Sequence, residues 1–431
     1  MPRSLLLRQV QLIEDPDRPP RRADVLLQGG TPAWIGRNAG DAPPQPADVE
    51  IDAGAWWLGP ALVDPHSVLE EPWQGRAETL DSLAAAAADG GYGWVALLPW
   101  APCWRDRPDR LDLRWSEPLR LLLWGSFSLD GGEADLAPHG DQLEAGAVGL
   151  AGGEGLPPLP LLERGLLLDE HEGRPLLLAP REAGLAAKGF VRERVEALRA
   201  GFPTDPVTSE TLPLRILLEL AETFPAAGLR LMNLSTAEGV AALRRCDPPP
   251  PASVCWWHLV ADSGGLDPAD EGWRLVPPLG GPSDRQALLE ALEEGLIDTV
   301  AIHHRALDAE ERLLPLDQRR PGLAGHGVAL PLLWEELVRR RGWSPQRLWR
   351  VLCWGPARFL GLPAPQLRPG CRRWILVDPQ ARWCWDEASC SSLAANQPAW
   401  GRPLQGRVVA SGLVAAEAWP LASALRATPS R

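Results

Sequence analysis

Lysine is almost absent from this chain. Of 431 residues only Lys188 is a lysine, so nearly all of the 43 basic side chains are arginine. No basic cluster stands out in the sequence to offset the 56 acidic residues, and the net charge is −13. Such a chain is a poor match for phosphate backbones and anionic lipid, so no nucleic-acid or membrane partner is expected. No C-x-x-C pair occurs among Cys103, Cys246, Cys255, Cys353, Cys371, Cys384 and Cys390, an odd, scattered set that reads as reduced thiols. No apolar run approaches the roughly 18–20 residues of a membrane helix. The three leucines of "MPRSLLLRQVQLIEDPD" are too few for a signal peptide's apolar core, so a cytoplasmic protein is expected. There is no Ser-His-Asp spacing and no Gly-x-Gly-x-x-Gly after a strand. "GGEGLPP" lacks the Lys-Ser/Thr of a phosphate loop.

What is present is an ordered alternation. The first sixty residues alternate like strands ("SLLLRQVQLI", "ADVLLQGGTPAWIG", "VEIDAGAWWLG"), broken by "GG" and "DAPPQPAD". From about residue 60 short apolar runs are followed by helical segments. "PALVDPH" leads to "TLDSLAAAAADGGY", "LRLMNLS" to "TAEGVAALRRC", and "SDRQALLEALEEGLI" to "DTVAIHH". In the last helix Leu288, Leu289, Leu292 and Leu296 fall at near-helical spacing. Strand–helix alternation over some 300 residues implies an α/β fold with a parallel sheet, and at this length a (β/α)8 TIM-type barrel. The chain then returns to β character in "RRWILVD", "RWCWD" and "GRVVASGLVA". The expected organisation is a barrel over 59–365, with a β-sandwich built from both chain ends, 1–58 and 366–431.

The order of these pieces resembles dihydroorotase and its relatives in the amidohydrolase superfamily. "VEIDAGAWWLGPALVDPH" is similar to that family's entry into the first barrel strand, and "AAAAADGGYGWVALLPW" to its second unit. "NLSTAEGV" resembles its His-Val-Ser-Thr segment, and "VPPLGGPSDRQALLEALEEGLIDTVAIHH" its Asn-Pro-Pro-Leu-Arg through Thr-Asp-His-Ala-Pro. The resemblance covers nearly the whole chain. It implies hydrolysis of a cyclic amide by hydroxide on one or two divalent metals at the C-terminal mouth of the barrel.

Carried over position by position, the resemblance points to a relic of that site. In "DPHSVLEEP" His66 matches the first metal ligand, but Val68 stands at the second and Glu70 at an arginine that would hold a substrate carboxylate. Trp100 replaces the asparagine of Met-Pro-Asn. The bridging ligand falls on Gly152, Gly153 or Glu154, and Lys188, in a helical segment rather than at a strand end, cannot supply a carbamate. Pro180 and Asn233 occupy histidine positions, Val276 and Gly280 flank Pro-Pro-Leu where Asn and Arg are expected, and His303 stands at the catalytic Asp. Because strands 1 and 8 adjoin in a barrel, His66 and His303 could approach one another. Either His66 hydrogen-bonds inside a metal-free mouth while His303 fills the space of the absent ion, or Glu70 or Glu154 joins them in a rebuilt mononuclear site. Trp100 is expected to block the pocket, and Trp256 and Trp257 to pack in the core. His304 should point away from the mouth, His258 should be packed, and His139, His171 and His326, in loop-like contexts, should have no role. The expected protein is a non-catalytic homologue with no cofactor (zinc if the site is rebuilt). It would act through protein contacts as a homodimer or with aspartate carbamoyltransferase. The alternatives are a cyclic amidohydrolase with a remodelled site and a small-molecule sensor.

Overall fold

A computed structural model describes residues 4–132, 134–267 and 269–422. Strands from both chain ends form one mixed sheet. Its members are β1 (Ser4–Leu12), β2 (Arg21–Gln28), β3 (Thr31–Ile35), β4 (Val49–Asp52), β5 (Trp57–Pro60), and, after the intervening strands, Trp374–Cys384 and Pro403–Ser411. β1 pairs antiparallel with β2 and parallel with β4 and β5, and Trp374–Cys384 pairs antiparallel with β5. Alternate residues of β1 (Leu5, Leu7, then Val10 and Leu12) enter one core with Val25, Leu27, Leu58, Trp374 and Leu376. The alternation shifts at a bulge where Gln9 takes φ 58° and its amide donates to Asp24 Oδ1 at 2.8 Å. The strands expected to form a sandwich are thus hydrogen-bonded into one seven-stranded sheet, and β5 straddles the expected boundary at 58/59. Residues 1–3 and 423–431 of the expected end segments lie outside the described residues.

The middle of the chain is α/β. Parallel strands β6 (Leu62–Ser67), β7 (Tyr92–Leu97) and β8 (Arg120–Leu123) pair in sequence order. Past Trp124 the same path continues as β9 (Gly125–Ser126), which pairs with β10 (Leu150–Ala151), β10 with β11 (Leu176–Leu178), and β11 with Leu229–Leu231. Two short strands lie between those last two in sequence: β12 (Val191–Arg192) and β13 (Thr204–Asp205), paired with each other. Leu229–Leu231 is β14. A bridge from Leu231 to Ala252 leads to β15 (Ser253–Cys255), which pairs with β16 (Thr299–Ala301). Beyond β16, His303 N donates to His66 O at 3.1 Å and Val68 N donates to His304 O at 2.8 Å, so the backbone links return to β6. The remaining strands of the end sheet are β17 (Trp374–Cys384) and β18 (Pro403–Ser411).

The expected helices form at Leu80–Asp89, Ala237–Arg244 and Pro282–Glu294. Thr79 and Ser82 make a capping box on the first, and Thr236 caps the second. In the third Leu288, Leu289 and Leu292 are buried. Gly295, at φ 76°, ends the helix before Leu296, which is half-buried. The helix expected around Lys188 is not continuous: Ala183–Ala186 and Val195–Ala200 are separate turns flanking β12, and Lys188 is exposed between them. Gly189 accounts for the break, since a Cβ there would lie 2.3 Å from the Thr204 backbone. Among the described residues no helix is long and apolar enough to cross a membrane.

Candidate functional site

The site is built at the C-terminal ends of β6 and β16. All six residues of β6 are buried, and Asp64 fixes its end. Asp64 accepts from Ile302 N at 3.0 Å, from Ser67 Oγ at 2.5 Å and from His326 Nε2 at 2.8 Å. The Pro65 carbonyl accepts from Trp124 Nε1 at 2.9 Å. His66 is thereby held facing inward, fully buried.

His66 and His303 do meet. Their Nδ1 atoms lie 3.0 Å apart, and the rings are edge-on with centroids 5.1 Å apart. On its other side His66 Nε2 lies 2.9 Å from Ser253 Oγ. That hydroxyl accepts from Asn233 N at 2.9 Å, and its own proton is better aimed at His66 Nε2 than at the Leu231 or Asn233 oxygens, both at 3.4 Å. His66 Nε2 then accepts, leaving Nδ1–H to donate to His303 Nδ1. Both nitrogens of His66 are engaged within the protein. Burial lowers the His66 pKa to about 4, and burial with the neighbouring His66 and Arg305 holds His303 well below the ordinary imidazole value. Both rings are neutral at pH 7. Asn233 and His303 take φ 53° and 48°, a left-handed geometry uncommon for residues with a side chain, at the ends of β14 and β16.

Trp100 stands across the mouth. Its ring meets that of His303 at 90° with centroids 5.8 Å apart, its Nε1 donates to Gly152 O at 2.9 Å, and it is 6% exposed. With Glu154, Pro180, Arg181, Glu210, Asn233, Val276 and His303 among its neighbours it leaves a cavity of about 10 Å³, room for about one water. Val68 is buried. Trp256 and Trp257 are core residues, and Trp257 Nε1 donates to Gly272 O.

The charge reversal at Glu70 is answered by residues the sequence reading did not single out. Glu70 pairs with Arg305 at 3.2 Å and with Arg320 at 2.8 Å, and Arg305 also pairs with Glu154. Neither carboxylate hydrogen-bonds to the imidazoles, although Glu154 lines the cavity beside His303. His171 and His326 lie in turns, whereas His139 opens the helix His139–Glu144 rather than a loop; all three are buried and bonded, to Ala227 O, Asp64 and Phe127 O respectively. His304 lies 3.2 Å from Glu78 and 5.0 Å, between centroids, from the His326 ring. His258 is buried with Nε2 3.1 Å from Pro278 O. Below Asn233, Arg192 is fully buried between Asp205 (3.1 Å) and Glu210 (3.0 Å). Glu210 also accepts from the amides and hydroxyls of Ser235 and Thr236. That network, unread in the sequence, holds "NLST" in place.

No family model matches the chain. It is 32% identical over 442 residues, 93% of this chain and 98% of the other, to a "Probable dihydroorotase-like protein" of Synechocystis sp.. It is 30% identical to a dihydroorotase of Anaeromyxobacter dehalogenans, over 83% of this chain and 85% of that one. Among solved structures, L-hydantoinase of Arthrobacter aurescens superposes with TM-score 0.76 at 20% identity, covering 94% and 93% of the two chains. A dihydropyrimidinase of Brevibacillus agri does so with TM-score 0.76 at 18% identity, covering 95% and 94%. The expectation of no cofactor is corrected by these relatives, since dihydroorotases and hydantoinases are zinc-dependent amidohydrolases. The side chains present do not fit the ion in this arrangement. Among the described residues no group of three or more His, Cys, Asp and Glu side chains is arranged to hold a metal ion, and zinc needs four donors.

Proposed function

The chain belongs to the dihydroorotase family of cyclic amidohydrolases, and from that premise we propose that it is a member which does not hydrolyse cyclic amides and acts through protein contacts. The observation that carries this reading is the mouth: two neutral imidazoles bonded to each other, with Trp100 across them. Dihydroorotase chemistry needs a nucleophile, a proton shuttle and a hold on the substrate carboxylate. His66 has both ring nitrogens in use. His303, at the family's catalytic Asp, is an imidazole that burial keeps neutral. Glu70 puts a carboxylate at the family's arginine, and its two guanidinium partners are already shared among carboxylates. Val68, Pro180, Asn233 and Val276 complete the set of family positions filled by side chains of other chemistry.

A remodelled hydrolase would have to break the His66–His303 bond to free a lone pair, and a small-molecule sensor would need more room than about one water. The partner proposed from the family resemblance is aspartate carbamoyltransferase, in a pyrimidine-pathway complex where this chain has a structural or regulatory part, alone or as a homodimer. Sedimentation velocity of the purified chain with its own organism's aspartate carbamoyltransferase tests the assembly. A faster-moving joint boundary is expected, and independent boundaries at micromolar concentrations of both would reject that partner.

A further inference from the structure

At the end of the strands opposite the mouth lies a groove of about 890 Å³, between the starts of β7 and β8 and the segment 362–371 that leads into β17. Arg120, Arg368, Arg372 and Arg373 line it. The sequence disperses these arginines over two distant stretches, and only the fold gathers them. Arg373 is committed: it pairs with Glu117, donates to Pro118 O at 2.9 Å and lies over the Trp94 ring at 5.2 Å. Arg120, Arg368 and Arg372 are exposed, and among the described residues none has an ion-pair or side-chain hydrogen-bond partner. In a chain of net charge −13, acid is in excess, yet three guanidiniums around one concavity are left without it. Like charges gathered at a groove raise the local potential and draw in anions.

The groove does not end there. Glu117 and Arg372 also line a second groove of about 740 Å³, which runs along the turn at 28–31 and the segment 414–417. An elongated path with charge concentrated toward one end fits a length of chain better than a single small anion. We propose that this continuous groove is a docking surface for an acidic, extended segment of a partner protein. Arginine meets carboxylate in a forked pair, and Pro363, Pro365 and Pro369 stiffen the wall, so little ordering is lost on docking. A long polyanion such as nucleic acid would extend beyond the groove and be repelled by a chain whose net charge is −13. A short acidic segment would not. No residue of the mouth takes part, so the proposal goes beyond the functional reading above and stands or falls separately from it.

Fluorescence anisotropy with the full chain tests it, using a short labelled Glu-Gly repeat peptide, its Gln-Gly counterpart and an oligodeoxythymidylate of the same charge. Saturable binding of the Glu-Gly peptide alone is expected, weakening with salt. The combined variant Arg120→Ser, Arg368→Ser, Arg372→Ser should bind it at least about tenfold more weakly, and Arg199→Ser, an exposed arginine elsewhere, should bind as the parent does. Unchanged circular dichroism of the variants keeps the comparison valid, and Arg372→Ser alone should show a smaller loss in the same direction. Equal binding by parent and combined variant, no binding of the Glu-Gly peptide, or equal or tighter binding of the oligonucleotide would each overturn the proposal.

Discussion

At the residue scale the mouth depends more on Trp100 than on His66. The indole is 6% exposed and spans from His303 to the Gly152 carbonyl, so Trp100→Ala should destabilise the fold by about 3–5 kcal/mol. His66→Ala removes two hydrogen bonds and leaves partners that can turn to each other or to water, at a cost of about 1–3 kcal/mol. Urea denaturation of both variants measures the order, and a larger loss for His66→Ala would contradict it. His258, whose pKa burial lowers to about 4, makes a second prediction. Between its unfolded value and about 4 the unfolded chain holds the proton and the folded one does not, so stability falls as pH falls through that window and is unaffected above it. The loss at pH 4.5 from this one group is roughly 2–3 kcal/mol. His258→Gln should therefore lose that much less stability than the parent between pH 7 and 4.5, and equal losses would refute the assignment. The sequence could place His66, His303 and Trp100 because each sits in a recognisable strand-end motif. It could not place Ser253, 187 positions from His66, or Arg305 as Glu70's counter-ion, because a pairing made only by the fold has no local pattern.

At the element scale the helices with clear apolar spacing and caps were legible, and the short pieces were not. A two-residue strand such as β12 carries no periodicity. The stretch around Lys188 has helix-like composition, but the close pass of Gly189 by Thr204 breaks it. β12 is held instead by Arg192, buried with Asp205, Glu210, Ser209 and Ser235. Removing one side of a buried pair leaves uncompensated charge, so Arg192→Ala should cost about 3–5 kcal/mol. Replacing Arg244, whose partner Glu294 is half-exposed like itself, should cost far less. Thermal melts of the two variants check this, and equal shifts would mean that the Arg192 cluster is no more than a surface-strength network.

At the scale of the whole molecule, the α/β middle and the union of both chain ends in one β region could be read from the change of rhythm near residue 60 and the return to strands after 366. That those strands share a single mixed sheet could not, because pairing partners hundreds of residues apart leave no mark on either segment. The groove of unpaired arginines was hidden for the same reason. The central claim concerns the other end of the molecule: the dihydroorotase fold persists here with a mouth closed on itself. Interconversion of carbamoyl aspartate and dihydroorotate by the purified full chain, supplied with zinc, measures it most directly. The account predicts no turnover above background for the parent and none for Val68→His, since Glu70, Asn233 and His303 remain. Turnover by the parent that disappears in His66→Ala would contradict it.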